Sequence, residues 1–118
     1  MLQETILGWD CEWSVMIGLN PPSTIQISGD KHVWVVDGIW LNQLTVQNMV
    51  KEYIRALVQN QSIVHVFKAN DDIKRLALFK DIPAFSNIMN VVDIDVIACA
   101  VGFMSMSSLS NYTLLALG

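Results

Sequence analysis

Three features of the chain call for an α/β fold, a mixed sheet with flanking helices. The N-terminal part is a series of short apolar segments separated by turn residues. From Val46 the apolar residues recur at helical spacing instead. Beyond Ser62, a β-branched run alternates with further helical segments.

The elements follow in order. Residues 5–13 form an apolar stretch ending in polar alternation, a first strand. Asn20-Pro21-Pro22 is a turn. Residues 24–28 read Thr-Ile-Gln-Ile-Ser, a half-buried second strand. Gly29-Asp30-Lys31 marks a hairpin into a third strand at 32–36, rich in Val and Trp. Short turns between these three strands predict an antiparallel meander. Over 46–59, Val46, Met49, Val50, Tyr53, Ile54, Leu57 and Val58 line one helical face. Residues 62–67 predict a buried strand, 72–79 a short helix and 88–92 a last strand. Residues 95–103 and 107–117 predict two more helices, the second capped by Ser107 or Ser108. The order β-β-β-α-β-α-β-α-α is that of a ribonuclease H-like layout.

Composition narrows the function classes. A chain of 118 residues is one domain at most. It is 53% hydrophobic, with a mean hydropathy of +0.41, which argues against disorder. That apolar content predicts a sheet covered on both faces, or apolar surface awaiting a partner or a further segment. The longest apolar run, residues 96–104, is far shorter than the roughly 20 residues that span a bilayer. Glu4 stands where a signal peptide avoids an acid, so the chain reads as intracellular, nucleus and cytoplasm not separated. Cys11 and Cys99 form no metal or disulfide spacing and read as reduced core thiols. A net charge of −4 and a pI near 4.8 exclude nucleic-acid binding through a basic surface alone. An acidic nuclease escapes that exclusion, because bound cations attract phosphate.

The chemistry-bearing residues are carboxylates. Asp10 and Glu12 sit two apart on the first strand, so their side chains share a face. Two such acids repel each other and resist desolvation, and a divalent cation relieves both penalties. Oxygen donors suit magnesium or manganese. A solvent-facing strand end, where Asp and Glu are ordinary, accounts for the pair better from spacing alone, since a lone Asp-x-Glu is a weak motif. Asp71 and Asp72 open a helix after Asn70, where capping and the helix dipole explain them. Alternatively, one of them projects across to Asp10, if strand 62–67 lies beside strand 5–13. Asp93 and Asp95 read as caps. His65 reads as a core histidine, and His32 has no evident partner. Trp9, Trp34 and Trp40 read as core, while Trp13, beside the acidic pair, is placed to stack on a base. No Gly-rich phosphate loop and no Ser/His triad is present.

Taken in series, these segments resemble the DEDD family of 3′→5′ exonucleases, in its ribonuclease D-like, Werner-type branch. Ile6-Leu7-Gly8-Trp9-Asp10-Cys11-Glu12-Trp13 is similar to the first motif. Thr24-Ile25-Gln26-Ile27-Ser28 and Val33-Trp34-Val35-Val36-Asp37 resemble the second and third strands. His65-Val66-Phe67-Lys68-Ala69-Asn70-Asp71-Asp72 resembles the second motif, with Asp72 in the catalytic place and Asp71 as fallback. Asp93 to Ala98 and Ser108 to Gly118 are similar to segments leading towards the third motif. That motif is a Tyr or His shortly before a fourth catalytic Asp. Here Tyr112 is followed at the expected distance by Ala116.

The resemblance implies one domain over residues 1–118, incomplete at its C-terminal end. It implies phosphodiester hydrolysis from the 3′ end of RNA or DNA by two magnesium or manganese ions on Asp10, Glu12 and Asp72. Two other expectations stand beside it. One is an inactive module of the same fold that binds nucleic acid or a protein partner. The other is an unrelated α/β domain for a small molecule, which requires Asp72 to lie far from the acidic pair.

Overall fold

The computed structural model describes residues 1–13, 20–43, 47–68 and 70–96. Its sheet has five strands: β1 (Ile6–Glu12), β2 (Thr24–Ser28), β3 (Val33–Asp37), β4 (Val64–Phe67) and β5 (Val91–Asp93). They lie in the order β3-β2-β1-β4-β5. β1 and β2 pair antiparallel, as do β2 and β3, which is the expected meander. β4 lies parallel to β1, and β5 parallel to β4. Helices α1 (Gly38–Leu41), α2 (Asn48–Val58) and α3 (Asn70–Leu76), and a 3-10 turn at Pro83–Ser86, complete the described chain. Of the expected helix at 95–103, residues 95 and 96 are helical; its remainder and the expected helix at 107–117, with the Ser107 or Ser108 cap, Cys99 and Tyr112, lie outside the described residues.

Alternation along β1 divides the sheet into two faces. Leu7, Trp9 and Cys11 are buried, while Asp10 is half-buried and Glu12 exposed. The buried set joins Ile25 and Ile27 of β2, and His65 and Phe67 of β4, beneath Ile54, Leu57 and Val58 of α2. Trp9 fills the centre. Its ring stacks on Phe67 at 5.6 Å and meets Phe85 edge-on at 6.4 Å. On the opposite face, Ile6, Val33 and Val35 are 58%, 62% and 65% exposed, one of the two outcomes that the apolar composition allows.

His65 is the core histidine expected of a residue inside a buried strand. It is 0% exposed, yet both ring nitrogens are satisfied. The Trp9 indole N–H donates to Nδ1 at 3.0 Å, and Nε2 lies 3.1 Å from the Leu57 carbonyl. This pairing requires the neutral tautomer with its proton on Nε2. Burial accordingly lowers the His65 pKa, opposed by the bond to Leu57.

Three local outcomes differ from expectation. α1 was not expected, because its propensity is slight. Asp37 makes it, accepting from the Ile39 and Trp40 backbone N–H groups at 2.9 and 3.2 Å. α3 begins at Asn70 rather than Asp72, so both aspartates lie in its first turn. β5 begins at Val91 rather than Ile88, because Asn90 turns the chain with φ 54°. The Asn90 side chain also donates to the Gln61 carbonyl at 2.7 Å.

Gly38 packs where a side chain has no room. A Cβ there would lie 1.9 Å from the Pro22 carbonyl oxygen, a backbone atom with little freedom to retreat. Gly38→Ala is expected to lower stability by about 1–3 kcal/mol in urea denaturation. An unchanged midpoint would mean that Pro22 moves freely.

Candidate active site

The site arises from a mismatch in strand length. β4 pairs with β1 only from Ile6↔Val64 to Trp9↔Phe67, so Asp10, Cys11 and Glu12 run past its end. On their other side they keep β2, as Asp10↔Gln26, Cys11↔Ile25 and Glu12↔Thr24. α3 follows β4 closely and packs over this overhang. Asp72, 6% exposed, meets β1 there and is hydrogen-bonded to the Cys11 backbone.

The electrostatics of Asp72 follow from this placement. The Asp72 pKa is raised from 3.8 to about 6, first by burial, then by the charges of Asp10, Asp71 and, more weakly, Glu12. The Cys11 bond opposes the rise. The Cys11 thiol is pushed far above its usual range by burial and by Asp72, Asp10 and Glu12, so it is an inert core thiol. Asp71 is exposed on the same turn. Asp93 and Asp95 are otherwise engaged. Asp93 Oδ1 accepts from the Asp95 N–H at 2.8 Å, as a cap does, and Asp95 pairs with Lys68 at 2.7 Å.

An oxygen-only donor set with one buried, charge-strained carboxyl has the chemistry that divalent magnesium or manganese satisfies. The set is not gathered for a single ion as it stands. Among the described residues, no three His, Cys, Asp or Glu side chains form a metal-holding group.

No family model matches the chain, and no curated protein sequence matches it. Solved structures do. The Nibbler EXO domain of Aedes aegypti aligns with a TM-score of 0.59 at 19% identity, over 85% of this chain and 48% of that one. Escherichia coli RNase D, an exoribonuclease involved in structured RNA processing, aligns with a TM-score of 0.63 at 16% identity, over 92% of this chain and 26% of that one. The chain has the ribonuclease D fold. The ribonuclease H-like sheet and the resemblance to this branch of exonucleases are thereby borne out at the level of fold. The chain spans about half the length of the first structure and about a quarter of the second.

Asp10 and Glu12 thus end β1, and Asp72 of α3 lies against that strand, in a ribonuclease D fold. The reading that separated Asp72 from the acidic pair is not supported, because the charges of Asp10 and Glu12 act on Asp72. Trp13 lies at the same end, half-buried, with the Arg75 guanidinium 4.8 Å above its ring. One face of the indole is thus already covered. Arg75 was not singled out in the sequence. The available signal was its spacing: three residues after Asp72, it shares a side of α3 with that carboxylate. No helix among the described residues is long and apolar enough to cross a membrane.

Proposed function

We propose that this chain is a single 3′→5′ exonuclease domain, acting inside the cell on the 3′ end of RNA or DNA. The observation that carries the reading is the placement of buried Asp72 against the Asp10–Glu12 overhang of the central strand. Asp10 and Glu12 present oxygens from a rigid strand, held by their pairing with β2. Asp72 presents its own from α3, oriented by the Cys11 backbone. These three residues would hold divalent cations. When bound, such ions supply Lewis-acid activation of water and stabilise the leaving 3′ oxygen. With a pKa near 6, Asp72 is mostly ionised at pH 7.5 and so able to act as a ligand.

The test is digestion of a 5′-labelled single strand, RNA and DNA in parallel, with manganese and with EDTA. A manganese-dependent 3′→5′ ladder, lost in Asp10→Ala and in Glu12→Ala, is the expected result. A ladder that persists in Asp10→Ala sinks the assignment.

A second reading is favoured by one observation, the lack of a ready three-ligand group among the described residues. It is a module of the same fold that binds nucleic acid without cutting it. Tight RNA binding in EDTA, with no digestion in manganese, would decide for it.

A further inference from the structure

One helical turn after Asp71 and Asp72 on α3, an arginine would ordinarily be drawn into an ion pair. Arg75 is not. Its guanidinium lies 4.8 Å over the Trp13 ring, and Nη1 donates to the Asn20 carbonyl at 2.9 Å. Both partners are neutral. Among the described residues no carboxylate pairs with it, so its positive charge is not cancelled by direct contact. Its other guanidinium N–H groups have no acceptor among the described residues. Arginine has five such donors in a planar fork that matches a phosphate.

The position is as telling as the charge. Trp13 directly follows Glu12 on the exit from β1, and Arg75 stands three residues after Asp72 on α3. The guanidinium is therefore tied to both elements that carry the proposed catalytic carboxylates. Stacking on an indole fixes its plane without neutralising it. In an acidic chain, a cation fixed in orientation on the helix that carries Asp72 offers a polyanionic strand a point of contact.

We infer that Arg75 binds a backbone phosphate of the strand whose 3′ end enters the carboxylate site, with Trp13 and Asn20 holding its fork in place. The inference rests on the exonuclease reading above. It recasts Trp13 as the support for a phosphate contact, in place of an open platform for a base.

The test is the salt dependence of binding to a labelled single-stranded oligonucleotide. Calcium replaces manganese to suppress cleavage, and the full chain is used throughout. Arg75→Ala is expected to weaken binding about tenfold at low salt, the size of one lost charge-assisted contact. It should also make the slope of log affinity against log salt shallower by about 0.7, the value for one phosphate on a single strand. Arg75→Lys should recover most of the slope and less of the affinity. A wild-type slope in Arg75→Ala, with binding and digestion intact, overturns the phosphate contact and leaves the exonuclease reading standing. Weaker binding with an unchanged slope also overturns it, and assigns Arg75 a structural role through Trp13. A wild-type chain that is folded but neither binds nor digests overturns both.

Discussion

Asp72→Asn is expected to give a chain that is more stable than the wild type in EDTA, and inactive as a nuclease. The stability gain follows from linkage. The folded chain holds the Asp72 proton up to about pH 6, whereas the unfolded chain releases it near 3.8. Across that window the folded state binds more protons, so stability falls as pH rises. Near pH 7.5 the ionised, buried carboxylate has lost the chain about 2–3 kcal/mol. Asparagine keeps an acceptor for the Cys11 backbone and removes the charge.

His65 tilts the curve the other way. Its folded pKa lies below 6.5, so the unfolded state binds more protons and stability falls as pH drops. Comparing Asp72→Asn with wild type by urea denaturation from pH 4 to 8 cancels the His65 contribution and isolates that of Asp72. The loss of activity should reach roughly 10³-fold, about 4 kcal/mol of transition-state stabilisation. Manganese should also stabilise the wild type more than the variant, because binding to the folded state alone raises stability. A variant in EDTA at pH 7.5 no more stable than wild type would show that Asp72 is not strained by burial and its neighbours.

Trp9→Ala is expected to have the largest structural effect. It removes the ring that stacks on Phe67 and leaves a cavity worth about 3–5 kcal/mol. It also strips the donor from His65 Nδ1 in a site without solvent, adding about 1–3 kcal/mol. Domains of this size are stable by about 5–15 kcal/mol, so much of the folded population should be lost. Trp9→Phe retains most of the volume and should show mainly the hydrogen-bond penalty. If Trp9→Ala unfolds within 1 kcal/mol of wild type, Trp9 does not fill the core as described.

The two kinds of residue differ in how far the sequence exposes them. The alternation in β1 was legible because strand periodicity is local: Leu7, Trp9 and Cys11 face inward because they are apolar at every second position. The Asp10–Glu12 pair was legible for the same reason. The pairing of Trp9 with His65 was not, since 56 residues separate them and neither flanking pattern records the other. The stacking of His32 on Trp34, at 5.7 Å, depends on side-chain rotamers that periodicity does not specify. α1 escaped notice because one cap and a tight approach to Pro22 create it, with no hydrophobic repeat. Arg75 escaped because its partners, Trp13 and Asn20, lie far away in sequence, between β1 and β2.

The place of β1 in the sheet also bears on the order in which the molecule assembles. Its pairing with β2 closes a short loop, whereas its pairing with β4 joins Ile6 to Val64 across most of the described chain. Loop-closure entropy makes the second contact slow and late. The repulsion that Asp72 meets from Asp10 and Glu12 is felt only after that contact forms. The nascent meander therefore folds free of the charge on Asp72, and the carboxylate end of the sheet is the last part to be completed.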